Sequence, residues 1–66
     1  MEIKVNGEPR RIEPGMTIVQ LLGELGLEPL HLAIEHNGDI VDETSIAGID
    51  LKAGDTLEII RFVGGG

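Results

Sequence analysis

The chain has no cysteine, no tryptophan and no tyrosine, and Phe62 is its single aromatic residue. Without a thiol there is no disulfide framework, no thiolate zinc ligand, no cysteine nucleophile and no side-chain persulfide. Positive charge is also scarce. Lys and Arg number 5 against 12 Asp and Glu, a formal net charge of −7. Binding to nucleic acid or to an anionic membrane surface draws on neutralised phosphates, so the charge argues against both. It suits protein partners with basic docking surfaces. No apolar run approaches the roughly 20 residues that a membrane-spanning helix needs. Met1-Glu2-Ile3-Lys4 lacks the basic-then-apolar order of a secretion signal. The expectation is a cytoplasmic protein, monomeric when alone.

What is abundant is aliphatic. Nine Ile, eight Leu and four Val supply most of the 41% hydrophobic content. A chain of 66 residues supports one small core and not two. We expect one domain over residues 1–63 and a flexible glycine tail over 64–66.

Turn residues divide the domain. Ile3 and Val5 alternate with Glu2 and Lys4, the period of a half-buried strand. Asn6-Gly7 then suits a two-residue hairpin turn, whose central residues both need positive φ. The return strand is expected at residues 10–12, with Pro9 at its start. Pro14-Gly15 closes this unit. Residues 17–25 form the one clear helix. Thr17 and Gln20 have capping-box spacing, and Ile18, Leu21, Leu22 and Leu25 fall on one stripe. Gly26 suits a left-handed C-terminal residue, and Pro29 blocks resumption. Gly23 weakens the helix unless it permits close packing on the sheet.

Further on, residues 32–35 read as a strand, Asn37-Gly38 as a second turn and Ile40-Val41 as a short extended piece. Residues 42–48 suit a helical turn, with Asp42-Glu43-Thr44-Ser45 as its cap. Ile49 and Leu51 read as an edge piece, and residues 56–63 as the last and most apolar strand. That strand follows long after the first and can lie beside it in parallel. The fold class is α+β, a mixed sheet of four to five strands packed on one main helix.

In the last strand Leu57 and Ile59 share one parity, while Glu58, Ile60 and Phe62 share the other. Glu58 belongs in solvent, so Ile60 and Phe62 form an exposed apolar pair suited to docking a partner. Gly64-Gly65-Gly66 follows. Three residues without side chains can enter a channel only as wide as the backbone, and extended they reach about 10 Å. The group presented is the Gly66 α-carboxylate, a poor electrophile until ATP activates it. The chain has no glycine-rich phosphate loop leading into a helix, so that activation belongs to a partner that binds ATP and magnesium. With no cysteine present, any sulfur carried here replaces an oxygen of the terminal carboxylate.

These residues carry a resemblance. Gly54-Asp55-Thr56-Leu57-Glu58-Ile59-Ile60-Arg61-Phe62-Val63-Gly64-Gly65-Gly66 is similar to the C-terminal segment of the ThiS family, the sulfur carriers of thiamine biosynthesis. Val5-Asn6-Gly7-Glu8, residues 17–22 and residues 33–41 support the likeness along the whole chain. Ile46 departs from it, standing where many relatives have an aromatic residue. The resemblance implies a ubiquitin-like β-grasp fold. It also implies that the chain is a protein cosubstrate and not an enzyme. A ThiF-like adenylyltransferase would adenylate Gly66, using ATP and magnesium that this chain does not bind. A sulfurtransferase or cysteine desulfurase would supply sulfur for a Gly66 thiocarboxylate. A ThiG-like thiazole synthase would receive that sulfur. Gly65 and Gly66 carry over directly, Gly64 as tail, and Ile60, Phe62 and Val63 as docking positions.

Rival readings remain open at this point. The recipient could instead be molybdopterin synthesis or tRNA thiolation, or the chain could be a passive ubiquitin-like interaction module. Residues 31 and 36 are the two histidines, with no further ligands spaced for zinc, and the expectation for them is solvated or turn positions. A hydrolase has no supporting motif, and the length leaves little room for a substrate pocket.

Overall fold

The computed structural model describes residues 1–61. Strand β1 (Glu2–Val5) and strand β2 (Glu8–Arg11) pair antiparallel across Asn6-Gly7. Asn6 and Gly7 have φ of 52° and 81°, as a two-residue turn requires. Pairing starts at Glu8, two residues earlier than the sequence suggested, and Pro9 lies within the strand opposite Lys4. The tight turn makes Val5 and Glu8 the hydrogen-bonded pair, so Pro9 falls on the alternate, non-bonded position. Its missing N–H faces the open side of an edge strand and costs no ladder bond.

Helix α1 (Ile18–Glu24) begins with the expected capping box. The Gln20 N–H donates to Thr17 Oγ1 at 3.2 Å, and the Thr17 N–H donates to Gln20 Oε1 at 2.9 Å. The helix ends in a Schellman arrangement around Gly26, at φ 73°. The Leu27 N–H donates to the Leu22 carbonyl and the Gly26 N–H to that of Gly23. Ile18, Leu21 and Leu22 are fully buried, and Leu25 is half-buried. Gly23 has open space where a Cβ would stand, so close packing is not its role.

Strand β3 (Leu32–His36) pairs antiparallel with β4 (Asp39–Val41) across Asn37-Gly38 and with β5 (Thr56–Arg61) on its other side. A short 3-10 helix, Ile46–Gly48, buries Ile46. Asp42 caps the turn before it, accepting from the N–H and hydroxyl groups of Thr44 and Ser45. Residues 49–51 do not form an edge of the sheet. They pair with the segment before α1, where the Ile18 N–H reaches the Ile49 carbonyl and the Leu51 N–H reaches the Met16 carbonyl.

The sheet order is β2-β1-β5-β3-β4, with β1 and β5 parallel. The last strand therefore lies in the middle of a five-stranded mixed sheet. Ile3, Ile12, Ile34 and Leu57 face α1 and close an all-aliphatic core with Ile18, Leu21, Leu22, Ile46 and Leu51. Among the described residues the opposite face of the sheet carries no helix.

Candidate functional site

Every functional expectation converges on β5, so what holds β5 defines the site. Both Asn-Gly turns grip it through their asparagine side chains. Asn6 Oδ1 accepts from the Ile59 N–H at 2.7 Å, and its Nδ2 donates to the Ile59 carbonyl at 3.3 Å. The amide thus extends the parallel β1–β5 pairing past the end of β1. Asn37 does the same at the start of β5. Its Oδ1 accepts from the Thr56 N–H at 2.9 Å, and its own N–H donates to the Thr56 carbonyl. Positive φ at Asn6 and Asn37 aims these side chains inward along the sheet.

A second polar cluster fastens the turn before β5. Asp55 is buried, and its carboxylate accepts from His36 Nε2 at 2.8 Å, the Lys52 N–H at 2.9 Å and Asn37 Nδ2 at 3.2 Å. Burial opposes the charge on Asp55, but these hydrogen bonds and the neighbouring imidazole outweigh it and hold the carboxyl below the usual carboxylate value. His36 is therefore the partner of a buried acid and not a solvated turn residue. His31 is exposed with φ of 71°, the left-handed region that a non-glycine residue adopts at some cost. Among the described residues no three His, Asp or Glu side chains gather as a metal site.

Ile60 lies on the uncovered face of the sheet and is 50% exposed, while Leu57 is buried and Ile59 half-buried beneath α1. The parity read from the sequence holds as far as Arg61. Ile40 is 81% exposed on the same open face, paired with Glu35. Glu35 in turn stands directly opposite Glu58. Like charges facing across a ladder are unfavourable in isolation. Two carboxylates bordered by two exposed isoleucines thus form an acidic, apolar surface along β5. Phe62, Val63, Gly64, Gly65 and Gly66 lie outside the described residues. The sequence pattern marked the two asparagines only as turn residues, and Glu35 and Ile40 only as strand residues within the segment that carries the resemblance. The signal available was Asn at position 6, since only an amide side chain can both donate to and accept from a neighbouring strand.

Comparison with known proteins agrees with this geometry. The model of the ThiS family matches residues 3–66. The chain is 44% identical to a thiazole synthase of Paramagnetospirillum magneticum over 66 residues, which is all of this chain and 20% of the synthase. The chain therefore spans about a fifth of the length of that relative. It is 32% identical to the sulfur carrier protein ThiS of Thermus thermophilus over 62 residues, covering 94% of this chain and 95% of that one. The crystal structure of the thiamine biosynthesis protein ThiS from Geobacter metallireducens superposes with a TM-score of 0.84 at 28% identity, covering all of both chains. With the ubiquitin-like β-grasp fold shared and the family model matched over residues 3–66, the chain belongs to the ThiS family.

Proposed function

We propose that this chain is a sulfur carrier of thiamine biosynthesis, a protein cosubstrate whose reactive group is the Gly66 α-carboxylate. The observation that carries the reading is a family match that runs through Gly66 on a β-grasp scaffold. A ThiF-like adenylyltransferase, holding ATP and magnesium, joins the Gly66 carboxylate to AMP and releases pyrophosphate. The outer sulfur of a persulfide on a sulfurtransferase or cysteine desulfurase attacks the adenylate and displaces AMP, and a thiol then attacks the donor's sulfur in the acyl disulfide so formed, making a disulfide with it and releasing the Gly66 thiocarboxylate. A ThiG-like thiazole synthase then takes up the sulfur. The absence of cysteine supports a terminal cargo, because no side chain can hold a persulfide. The likeness to one fifth of a thiazole synthase supports that enzyme as the recipient and favours thiamine over molybdopterin or tRNA thiolation.

Ile60, Phe62 and Val63 are the proposed docking positions, with Gly64 and Gly65 as the narrow lead into the partner. The acidic outer face around Glu35 and Glu58 suits a basic enzyme surface. Incubation with adenylyltransferase, ATP, magnesium and a sulfur source, followed by intact mass measurement, tests the reading. The expected result is a mass gain equal to sulfur replacing oxygen, lost when Gly65 and Gly66 are deleted. An unchanged mass, or full activity of the deletion, overturns it.

A further inference from the structure

Helix α1 is too short to cover the sheet. It ends at Glu24, and the inward-facing side chains nearest the end of β5 extend past it. Val5, Leu32 and Ile59 from three strands, with Leu25 and Leu27 from the chain leaving the helix, line a groove of about 620 Å³. This is more room than the chain length suggested. Among the described residues no element closes the groove over.

Two cations close it, Arg10 of β2 and Arg61 of β5, with Glu8 at the rim. They are two of only 5 cations in a chain of net charge −7. Arg10 is incompletely satisfied. Its Nη2 lies 3.7 Å from Glu24 Oε1, beyond hydrogen-bond length, and its buried Nε has no acceptor. The two guanidinium groups make this edge of the groove positive in an otherwise acidic chain. The lining therefore asks for an apolar group with a carboxylate beside it. An open groove buries too little of a small molecule to hold it well, whereas a protein segment brings its own cover. Arg61 is the last described residue of β5, so an occupant touches the strand that leads to Gly66.

We propose that this groove docks a segment of thiazole synthase that presents an apolar side chain next to an Asp or Glu. The proposal rests on the carrier reading above. Its choice of synthase over adenylyltransferase follows from the relative in which a segment like this chain makes up 20% of a thiazole synthase. The apolar side chain fills the space between Leu27, Leu32 and Ile59. The carboxylate pairs with the exposed guanidinium ends of Arg10 and Arg61. The groove lies on the helix side of the sheet, opposite Ile60, so a partner held there grasps β5 from the face that the outer surface leaves free.

The test titrates the full chain and its Arg10→Glu/Arg61→Glu variant against purified thiazole synthase by calorimetry. The expected loss of affinity is about tenfold or more, with adenylyltransferase affinity unchanged. Unchanged synthase affinity overturns the proposal, and so does an equal loss toward the adenylyltransferase. Failure of the unaltered chain to bind synthase sinks the carrier reading instead. Methyl NMR of the unaltered chain covers the case of a misfolded variant. Added synthase should shift the methyls of Leu25, Leu27, Leu32 and Ile59. Shifts confined to Ile40 and Ile60 overturn the groove as the site.

Discussion

Single side chains in this protein do two jobs where sequence pattern shows one. Asn6 and Asn37 each satisfy a turn that needs positive φ, and each also bonds the backbone of β5. The first job is local and was legible in the sequence. The second depends on β5 lying beside both turns, a contact between Asn6 and Ile59 across 53 positions. Asn6→Gly separates the two, because glycine keeps the turn and loses the amide. We expect a cost of about 1 kcal/mol in chemical denaturation, and an unchanged midpoint would mean the bonds to Ile59 contribute nothing. Asp55 was legible only as a member of the C-terminal segment that carries the family resemblance. Its carboxyl is held low in the folded chain, so its stabilising contribution is complete above the ordinary carboxylate range and is lost as pH falls through the folded value. Asp42 is shifted in the same direction, by the hydrogen bonds it accepts from Thr44 and Ser45. Melting temperature should therefore fall on acidification below about pH 4, and Asp55→Asn should melt lower at neutral pH and lose part of that acid dependence.

The helix was the element most fully written in the sequence. Its cap, stripe and terminating glycine are local features, and all three appear as read. Gly23 is the exception. Its neighbourhood is a tertiary property, and the space around it is empty. With φ outside the left-handed region and no atom in the way, Gly23→Ala should stabilise the fold by about 0.5–1 kcal/mol, seen as a higher melting temperature. A lower one would reveal a packing role. Leu22 lies one residue earlier and is fully buried. Leu22→Ala should cost about 2–5 kcal/mol, a large share of what so small a domain has. The strands were less legible at their ends. Residues 49–51 alternate like a strand, yet they pair with the residues entering α1 and not with either edge strand, β2 or β4. Periodicity identifies an extended segment and says nothing of its neighbour.

Among the described residues, one face of the sheet packs on α1 except at the groove, the other carries no covering element, and β5 is the central strand. The division was readable from parity along β5, because a charged Glu58 fixes which side is wet. The groove was not, because it arises from the length of α1 relative to the sheet, and a stripe of leucines does not reveal where its cover stops. The two faces of β5 make opposite predictions for adjacent residues. Ile59 packs against the core and is half-buried, so Ile59→Asp places a charge against aliphatic neighbours and should lower the melting temperature sharply. Ile60 is 50% exposed beside Glu58, so Ile60→Asp should leave the circular dichroism spectrum and melting temperature close to those of the parent. Its effect should fall on association. It replaces an apolar contact with a third carboxylate near Glu35 and Glu58, and binding to the adenylyltransferase should weaken by about 2 kcal/mol, measured by titration. If Ile60→Asp melts early, Ile60 supports the fold rather than a partner. If it melts normally and binds as tightly as the parent, the bare face of the sheet is not where the enzyme docks.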